Sequence, residues 1–528
     1  MTKKSIYFGT LLLTALALGS CASDDTATDK TAGKDTPKTG TVFSSEDEPS
    51  TRTSATYTGS GLDFYWTTND KIWVKDDNNT YHQSSEDDIA NRIAAVPGST
   101  TTAKAKFWVD GTYSNGTYKV RYTGKNGIQD KVTIKALQTQ NTPNDAAHIA
   151  DDGDFGVADA TGSGKYSFTL NHKAAYVTFM PYNANGVIPG AKIQKIRIYT
   201  NNTSDQLAGT FDLADNGTLS NGTTTSNSVE LNVNDFTIPS AYSYTTNGAT
   251  MVVKPGTYTN LTIEYTLHDA GSNVTGVITK TYSSVTFDAG KNTPVRADLQ
   301  ITLYPSDNYY MWDAQDQFWA GHSSSQPKIN GGSSSDYPQN NGDSRYYNEG
   351  SASGRFDATH SCATLPNANE MYWYVMFGDP RWDDNKLWAT MGHLYKGGMW
   401  FKKKSVLQVE NHYDTEESAD NAKDLRSVNE NYTNNSSSIV SGPPSAADAS
   451  NYFYLPALGY YYINGVPPLA LLADVGRIGE YWSSSSAVGS NQYAYNLYFD
   501  RNAVSLFYYG HRYDGVFKAQ PFSDFGDN

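Results

Sequence analysis

The sequence predicts a mostly β protein, with β-sandwich domains built of short strands and an α+β module after them. Three observations carry this. Short aromatic and β-branched runs recur from Leu62 to Leu303, with Asn- and Gly-rich turns between them. No amphipathic helix of normal length falls before about residue 300. Beyond it one helix with legible ends appears, and aromatic residues crowd towards a tyrosine-dense closing segment. A chain of 528 residues has room for about two to four domains.

The first element is a processing signal. Lys3-Lys4 is a basic region, Ile6 to Leu18 an apolar one, and Leu18-Gly19-Ser20-Cys21 a small-residue cleavage site. A Cys directly after such a site resembles a bacterial lipobox; the plainer reading is an ordinary secretory signal with a chance Cys. Ala22-Ser23-Asp24-Asp25 resembles the export signal of surface lipoproteins in Bacteroidetes. Residues 1–20 are thus expected to be a signal peptide and Cys21 the lipidated residue. No other apolar run is long enough to span a bilayer, so the expected mode is anchoring by lipid rather than spanning. Residues 21–50 are polar and rich in Thr, Asp and Lys, and are expected to form a disordered tether.

Strands are expected from there on. Leu62–Trp66 and Lys71–Val74 flank the turn signal Thr67-Thr68-Asn69-Asp70. Ala105–Val109, Tyr118–Tyr122, Ala175–Phe179, Lys195–Tyr199, Leu261–Tyr265 and Ala297–Leu303 repeat the habit. The Gly/Asp-rich stretch Asp151–Gly164 is the candidate join between two β domains, at 51–155 and 156–303.

Arg52-Thr53, Trp66, Asn69-Asp70-Lys71-Ile72, then Phe168 to Val177 and Phe287-Asp288-Ala289-Gly290-Lys291 occur in an order that resembles the fimbrillin-like lipoproteins of Bacteroidetes, the subunits of type V pili. The resemblance covers about residues 50–303 and implies two fimbrillin-like β-sandwich domains. It further implies that a protease cuts after an Arg near the start, removing a strand whose place is taken by a strand of the next subunit. Arg52 is the candidate for that cut, and its plainer reading is a solvated Arg. The lone His172 at a strand start is read as structural.

After Leu303 the texture changes. Asn367 is placed to cap a helix, with Glu370 three residues on as in a capping box, Gly378 suited to the position after the helix and Pro380 barring continuation. Leu365-Pro366 leading to Glu370, Leu455-Pro456-Ala457 with Gly459, Tyr481-Trp482-Ser483-Ser484 and a closing Pro521-Phe522 follow in order. The series resembles the Fibrobacter-type paralogous domain and, more distantly, C-type lectin folds of the formylglycine-generating-enzyme kind. It implies an α+β, C-type-lectin-like ligand-binding domain over 304–528. Lys518-Ala519 departs from the pattern, since related domains often place Val-Arg there.

Several chemistries are excluded. A net charge of −15 with 18% charged residues argues against a nucleic-acid partner. With only Cys21 and Cys362 there is no disulfide framework, no redox pair and no Cys-based metal site. Cys362 reads as a small buried hydrophobe. Gln520-Pro521-Phe522 lacks the acidic oxygen donor a calcium loop needs, and Trp482-Ser483-Ser484 lacks the Asn-Asp that would follow the Trp. Asp383-Asp384 and Glu416-Glu417 read as solvated faces. No catalytic residue, cofactor or metal is assigned.

What remains is recognition by surface. The chain holds 39 Tyr, and Tyr493–Asp500 and Val504–Gly515 concentrate them on both strand faces. Tyr supplies contact area at low entropic cost, so this is either a binding face or an aromatic β-core. The candidate ligand-binding residues are Asn491, Tyr493, Asn496, Tyr498, Asp500, Ser505, Phe507, Tyr508, Tyr509, His511, Tyr513 and Asp514. Some proteins with this resemblance are diversified there by a retroelement acting on adenines, and the residue types here have that flavour. The expected function is a cell-surface adhesin at the tip of a type V pilus. The chain ends inside a folded module, which suits accepting a strand and not donating one. Its expected partners are other pilus subunits by strand addition, a host or bacterial surface ligand (protein or glycan), and the outer membrane through the lipid before processing. The alternative is a glycan-capture lipoprotein of the cell surface that never polymerises.

Overall fold

Strands dominate the computed structural model, which describes residues 38–45, 54–125, 127–351, 353–420, 423–435 and 437–518. Cys21, Arg52 and the segment Ala519 to Phe522 lie outside these residues, as do the expectations attached to them.

The first strand, β1 (Thr41–Ser45), buries Phe43 and Ser45 completely or nearly so, by the two-residue alternation of a strand. It is held on both sides. β2 (Ala105–Val109) runs antiparallel to it with Phe107 opposite Phe43, and β3 (Lys165–Ser167) runs parallel with Tyr166 opposite Phe43. The expectation of a disordered tether through residue 50 is therefore corrected at 41–45. Phe43 stacks on Tyr166 at 5.0 Å and meets Tyr113 edge-on at 5.1 Å, and this apolar anchor outweighs the polar composition around it. From β3 the sheet runs through β1, β2, Tyr81–Asp87, Trp73–Lys75, Thr117–Tyr122 and Gly156–Ser163 to Asn171–His172. Gly156–Ser163 also pairs back with β3, so the sheet curls round a core that includes Trp66, Phe107, Tyr122 and Phe168.

The expected divide between residues 155 and 156 does not match the strand pairing. Lys131–Ile134 and Leu137–Gln140 lie ahead of it, yet they pair with Ala208–Leu213 and Ser228–Thr237. Gly156–His172 lies beyond it, yet it returns to the first sheet. Two glutamines explain the crossing. Gln138 donates to Val252 O at 2.7 Å and accepts from Val252 N at 2.9 Å. Gln140 donates to Gly248 O at 2.8 Å and accepts from Thr250 N at 2.7 Å. Each buried amide behaves as a piece of backbone and sews Leu137–Gln140 to the strand Ala249–Val253. The second core is the larger and includes Phe179, Ile196, Phe211, Leu231 and Tyr265. His172 is buried beside the first two sheets, with Nδ1 2.9 Å from Asp154 Oδ1 and its ring stacked on Phe64 at 3.9 Å.

Asp269, fully buried at the tip of the hairpin Gly256–Asp269/Val274–Phe287, ties the second core to the carboxy-terminal module. Its carboxylate accepts from Leu394 N at 2.9 Å, Gly271 N at 2.8 Å and His393 Nδ1 at 3.2 Å. Leu387, Ala389 and Leu394 of that module pack into the second core at the same point. Burial alone would raise the Asp269 pKa; the hydrogen bonds from Leu394, His393 and Ser272 outweigh it and hold the carboxyl below its usual value. The folded pKa is thus depressed, so its stabilising contribution is present above the unfolded value near 3.8 and is lost as pH falls through the folded value. Hydrogen exchange at Leu394 N–H is expected to quicken below about pH 4 while the amides of β1 stay protected. Unchanged exchange at Leu394 would contradict the tie.

The third core surrounds α1 (Ala368–Phe377). The expected capping box is present: Asn367 Oδ1 accepts from Glu370 N at 3.0 Å, and Glu370 Oε2 accepts from Asn367 N at 2.7 Å. The other end differs from expectation. Gly378 has φ −68, and the left-handed residue is Asp379 with φ 45. Glycine is needed at 378 for space, since an added Cβ would lie 2.4 Å from Tyr374 O. Cys362 is fully buried, and burial pushes its thiol far up.

Beside α1 lies a mixed sheet. Its central strands are β4 (Tyr460–Asn464), β5 (Gly479–Ser486), β6 (Tyr493–Phe499), β7 (Ala503–His511) and β8 (Gly515–Lys518), in the spatial order β4, β8, β5, β6, β7. β8 pairs with β4, with β5 and with Tyr309–Tyr310. Among the described residues no helix is long and apolar enough to cross a membrane.

Candidate functional site

Pairing decides which of the tyrosine-rich residues share a face. Glu480 of β5 lies opposite Tyr498 of β6, which lies opposite Ser505 of β7; Asn496 lies opposite Phe507, and Tyr493 opposite His511. Directly paired residues on antiparallel strands point the same way. The result is a groove of about 380 Å³ along the sheet. Its walls are the rings of Tyr460, Tyr462, Tyr498, Phe507, Tyr509 and Phe517, and Glu480, His511 and Asp514 supply its polar groups. Phe507 stacks on Tyr509 at 5.0 Å and meets Tyr498 at 5.7 Å; Tyr460 meets Tyr462 at 5.8 Å. Tyr509 is 45% exposed.

The twelve candidate residues thus separate. Asn496, Tyr498, Phe507, Tyr509, His511 and Asp514 converge on the groove. Tyr493 extends it, edge-on to His511 at 5.0 Å, and Tyr513 meets His511 at 5.5 Å. Asn491 is exposed in the loop before β6. Tyr508 is half-buried and meets Tyr495 at 6.2 Å; its backbone N–H donates to Asn431 Oδ1 at 3.0 Å. Asp500 is used by the β6–β7 turn, where it accepts from Tyr498 Oη at 2.9 Å, Asn502 N at 2.7 Å and Ala503 N at 2.9 Å.

Two of the candidate residues are almost fully buried on that face. Asn496 is 3% exposed and Ser505 is 1% exposed. Asn496, directly opposite Phe507, lies at the floor of the groove beside Trp482 and Gly510. Gly510 makes room for it: an added Cβ would lie 2.7 Å from Asn496 Oδ1 and 2.8 Å from the Trp482 ring. Ser505 is covered by the strand Tyr432–Asn435, with Thr433 Oγ1 at 3.0 Å from its Oγ.

The face rests on Arg512, which has no exposed surface. Its guanidinium stacks on Trp312 at 4.1 Å and donates to Tyr493 O at 2.8 Å, Ser490 O at 3.0 Å, and Asn348 O and Glu349 O at 3.3 Å. Burial lowers its pKa to about 10, which leaves it charged at neutral pH.

Sequence reasoning missed Tyr460, Tyr462, Glu480 and Phe517. The groove is made by β4 and β8 coming beside β5, and the spacing of those segments along the chain holds no sign of it. Glu480 is half-buried at the groove, and burial, with Asp474 adding to it, pushes its carboxyl up to about 8. A larger cavity of about 520 Å³ lies beside His172 and Phe64, where it is bounded by residues that join the first two cores. Among the described residues no group of His, Cys, Asp and Glu side chains is placed to hold a metal ion.

No family model and no curated protein matches this chain. Similar solved structures include a candidate cell adhesion protein of Bacteroides ovatus, 14% identical, covering 45% of this chain and 86% of that one at a TM-score of 0.28. A candidate cell adhesion protein of Bacteroides thetaiotaomicron is 17% identical and covers 44% of this chain and 82% of that one at 0.24. A fimbrial protein of Bacteroides ovatus, 11% identical, covers 85% of this chain and 93% of that one at 0.22. TM-scores of this size carry no argument about function.

Proposed function

We propose that the protein is a cell-surface adhesin at the tip of a type V pilus, that it joins the pilus by accepting a strand, and that it binds its target through the tyrosine-rich groove. The observation that supports this most is the position of β1. It is a strand held on both sides within the first sheet, and Arg52 comes after it in sequence. Cleavage after Arg52 would free β1 and leave a gap between β2 and β3, lined by Phe107 and Tyr166, that an extended segment of a neighbouring subunit fills. β8 is paired with β4 and with β5, which accords with a carboxy-terminal module that keeps its own strands. The similar solved structures bear adhesion and fimbrial names, which accords with this reading without carrying it. Lipid at Cys21 would hold the precursor on the outer membrane until the cut.

Two measurements test it. The amino-terminal sequence of the surface-associated protein is expected to begin at Thr53; a protein that keeps Cys21 and its lipid overturns the assembly step. Tyr509→Ala removes the most exposed ring of the groove. It is expected to weaken attachment to target cells at least tenfold and to leave the melting temperature unchanged, since exposed sites move stability by about 0.5 kcal/mol or less. A variant that unfolds returns Tyr509 to the core and removes the binding role.

A further inference from the structure

The chemistry that the groove takes can be read from its lining, given the adhesin reading on which this rests. The groove is walled by aromatic rings, and among the described residues no Lys or Arg lines it. The nearby cations are committed elsewhere. Arg477 holds Asp474 at 3.1 Å, Arg501 is paired with Asp384, and Arg512 is buried on Trp312. His511 faces Asp514 at 3.3 Å. The Glu480 carboxyl has no hydrogen bond or ion pair among the described residues, and it stands on the strand next to Tyr498. Around it the acidic groups Asp474, Asp500 and Asp514 are bonded to Tyr460, Tyr498 and His511. The groove therefore offers ring faces and one uncompensated carboxyl.

We propose that this groove binds an organic ammonium group, the side chain of a lysine presented by a partner protein, with the ammonium at Glu480 and its alkyl stem along Tyr498 and Phe507. Ring faces attract a cation through their quadrupole, and a carboxylate short of water gains most from a full positive charge. A sugar would also stack on the rings, but its hydroxyls supply no positive charge to Glu480 once the carboxyl ionises. Tyr-rich surroundings of this kind suit a protein partner.

The carboxyl must ionise to pair with the cation, so binding strengthens as pH rises from about 6 towards about 9. The titratable groups around Glu480 are His511, Asp474, Asp500 and Asp514, and each is engaged by a partner: His511 by Asp514, Asp474 by Tyr460 and Asp500 by Tyr498.

The test is calorimetric titration of the full chain with Nα-acetyl-lysine methylamide, its Nε-acetylated counterpart and choline. The expected order is the lysine derivative first, with the acetylated form at least tenfold weaker and choline weaker than lysine. Glu480→Gln is expected to weaken the lysine derivative at least tenfold and to abolish the pH dependence. Folding of that variant has its own readout. The folded pKa of Glu480 lies above the usual carboxyl value of 4.5, so ionisation costs the wild type stability as pH climbs towards about 8. The melting temperature of Glu480→Gln is expected to match the wild type near about pH 5 and to exceed it at about pH 8.5. Equal binding of the acetylated form, or of the lysine derivative to Glu480→Gln, overturns the proposal, and choline binding more tightly than lysine overturns the assignment to a protein. A neutral monosaccharide that binds both proteins equally overturns the proposal and leaves the adhesin reading standing. Cell attachment unchanged by Tyr509→Ala removes that reading instead.

Discussion

Phe43→Ala is expected to cost about 3–5 kcal/mol, the usual loss for a large aromatic taken out of a closed core. Phe43 has no exposed surface and touches Tyr113, Tyr118 and Tyr166, so no neighbour is free to refill the space. β1 contributes little else: Val42 is half-buried, and Ser45 accepts from Trp66 Nε1 at 3.2 Å. The loss should therefore fall on the first core and be read as its early melting, with the Tyr495 and Trp482 environment of the third core unchanged. The same logic sets the outcome for a chain cut after Arg52. It should lose β1 slowly, then bind a synthetic peptide carrying the Thr41–Ser45 sequence, whereas the uncut chain should not. Peptide binding by the uncut chain, or none by the cut one, would contradict strand exchange. β2 and β3 would each lose a neighbour, and unpaired strand edges inside a sheet attract a replacement.

Arg512→Ala is the second large expected effect, about 3–5 kcal/mol, since several buried carbonyl acceptors lose a charged donor at once. Four carbonyl oxygens lose their donor, and Trp312 loses the plane stacked on it. The consequence for binding should exceed the consequence for the fold. Ser490 O and Tyr493 O belong to the start of β6 and the loop before it, and Arg512 adjoins His511, so the groove loses the clamp on one of its ends. Arg512→Lys is expected to recover less than half of the loss, because one ammonium cannot reach four acceptors in a plane. Differential scanning calorimetry measures the stability, and ligand retention on the folded fraction measures the groove. Full recovery with Lys would mean that charge alone matters at this position.

Much of the architecture was legible because strand alternation and turn chemistry are local. Asn367 and Glu370 signal their helix start within four residues, and both hydrogen bonds of the box are present. What was not legible depends on distant partners. The strand Thr41–Ser45 has one large apolar residue in a polar stretch, and only Phe107 and Tyr166, far along the chain, make a strand of it. The placement of Leu137–Gln140 is set by Gln138 and Gln140 bonding to Gly248, Thr250 and Val252, a role that glutamine does not announce. Within the tyrosine-rich segment, alternation put Asn496 and Ser505 on the binding face but could not show that they are buried there, Asn496 at the groove floor and Ser505 beside the paired strand Tyr432–Asn435. Glu480 looked like one more polar strand residue until β4 and β8 brought Tyr460, Tyr462 and Phe517 around it.

The central claim is that the first sheet exchanges its own β1 for a neighbour's strand and so sets the tyrosine-rich groove at a filament end. Immunogold labelling of purified pili with an antibody to residues 304–518 tests it most directly. Label confined to filament ends, on a protein that starts at Thr53 and lacks β1, is the predicted result. Label on the cell surface alone, on a protein that keeps β1 and the lipid on Cys21, would contradict it and leave a surface lipoprotein that captures its ligand without polymerising.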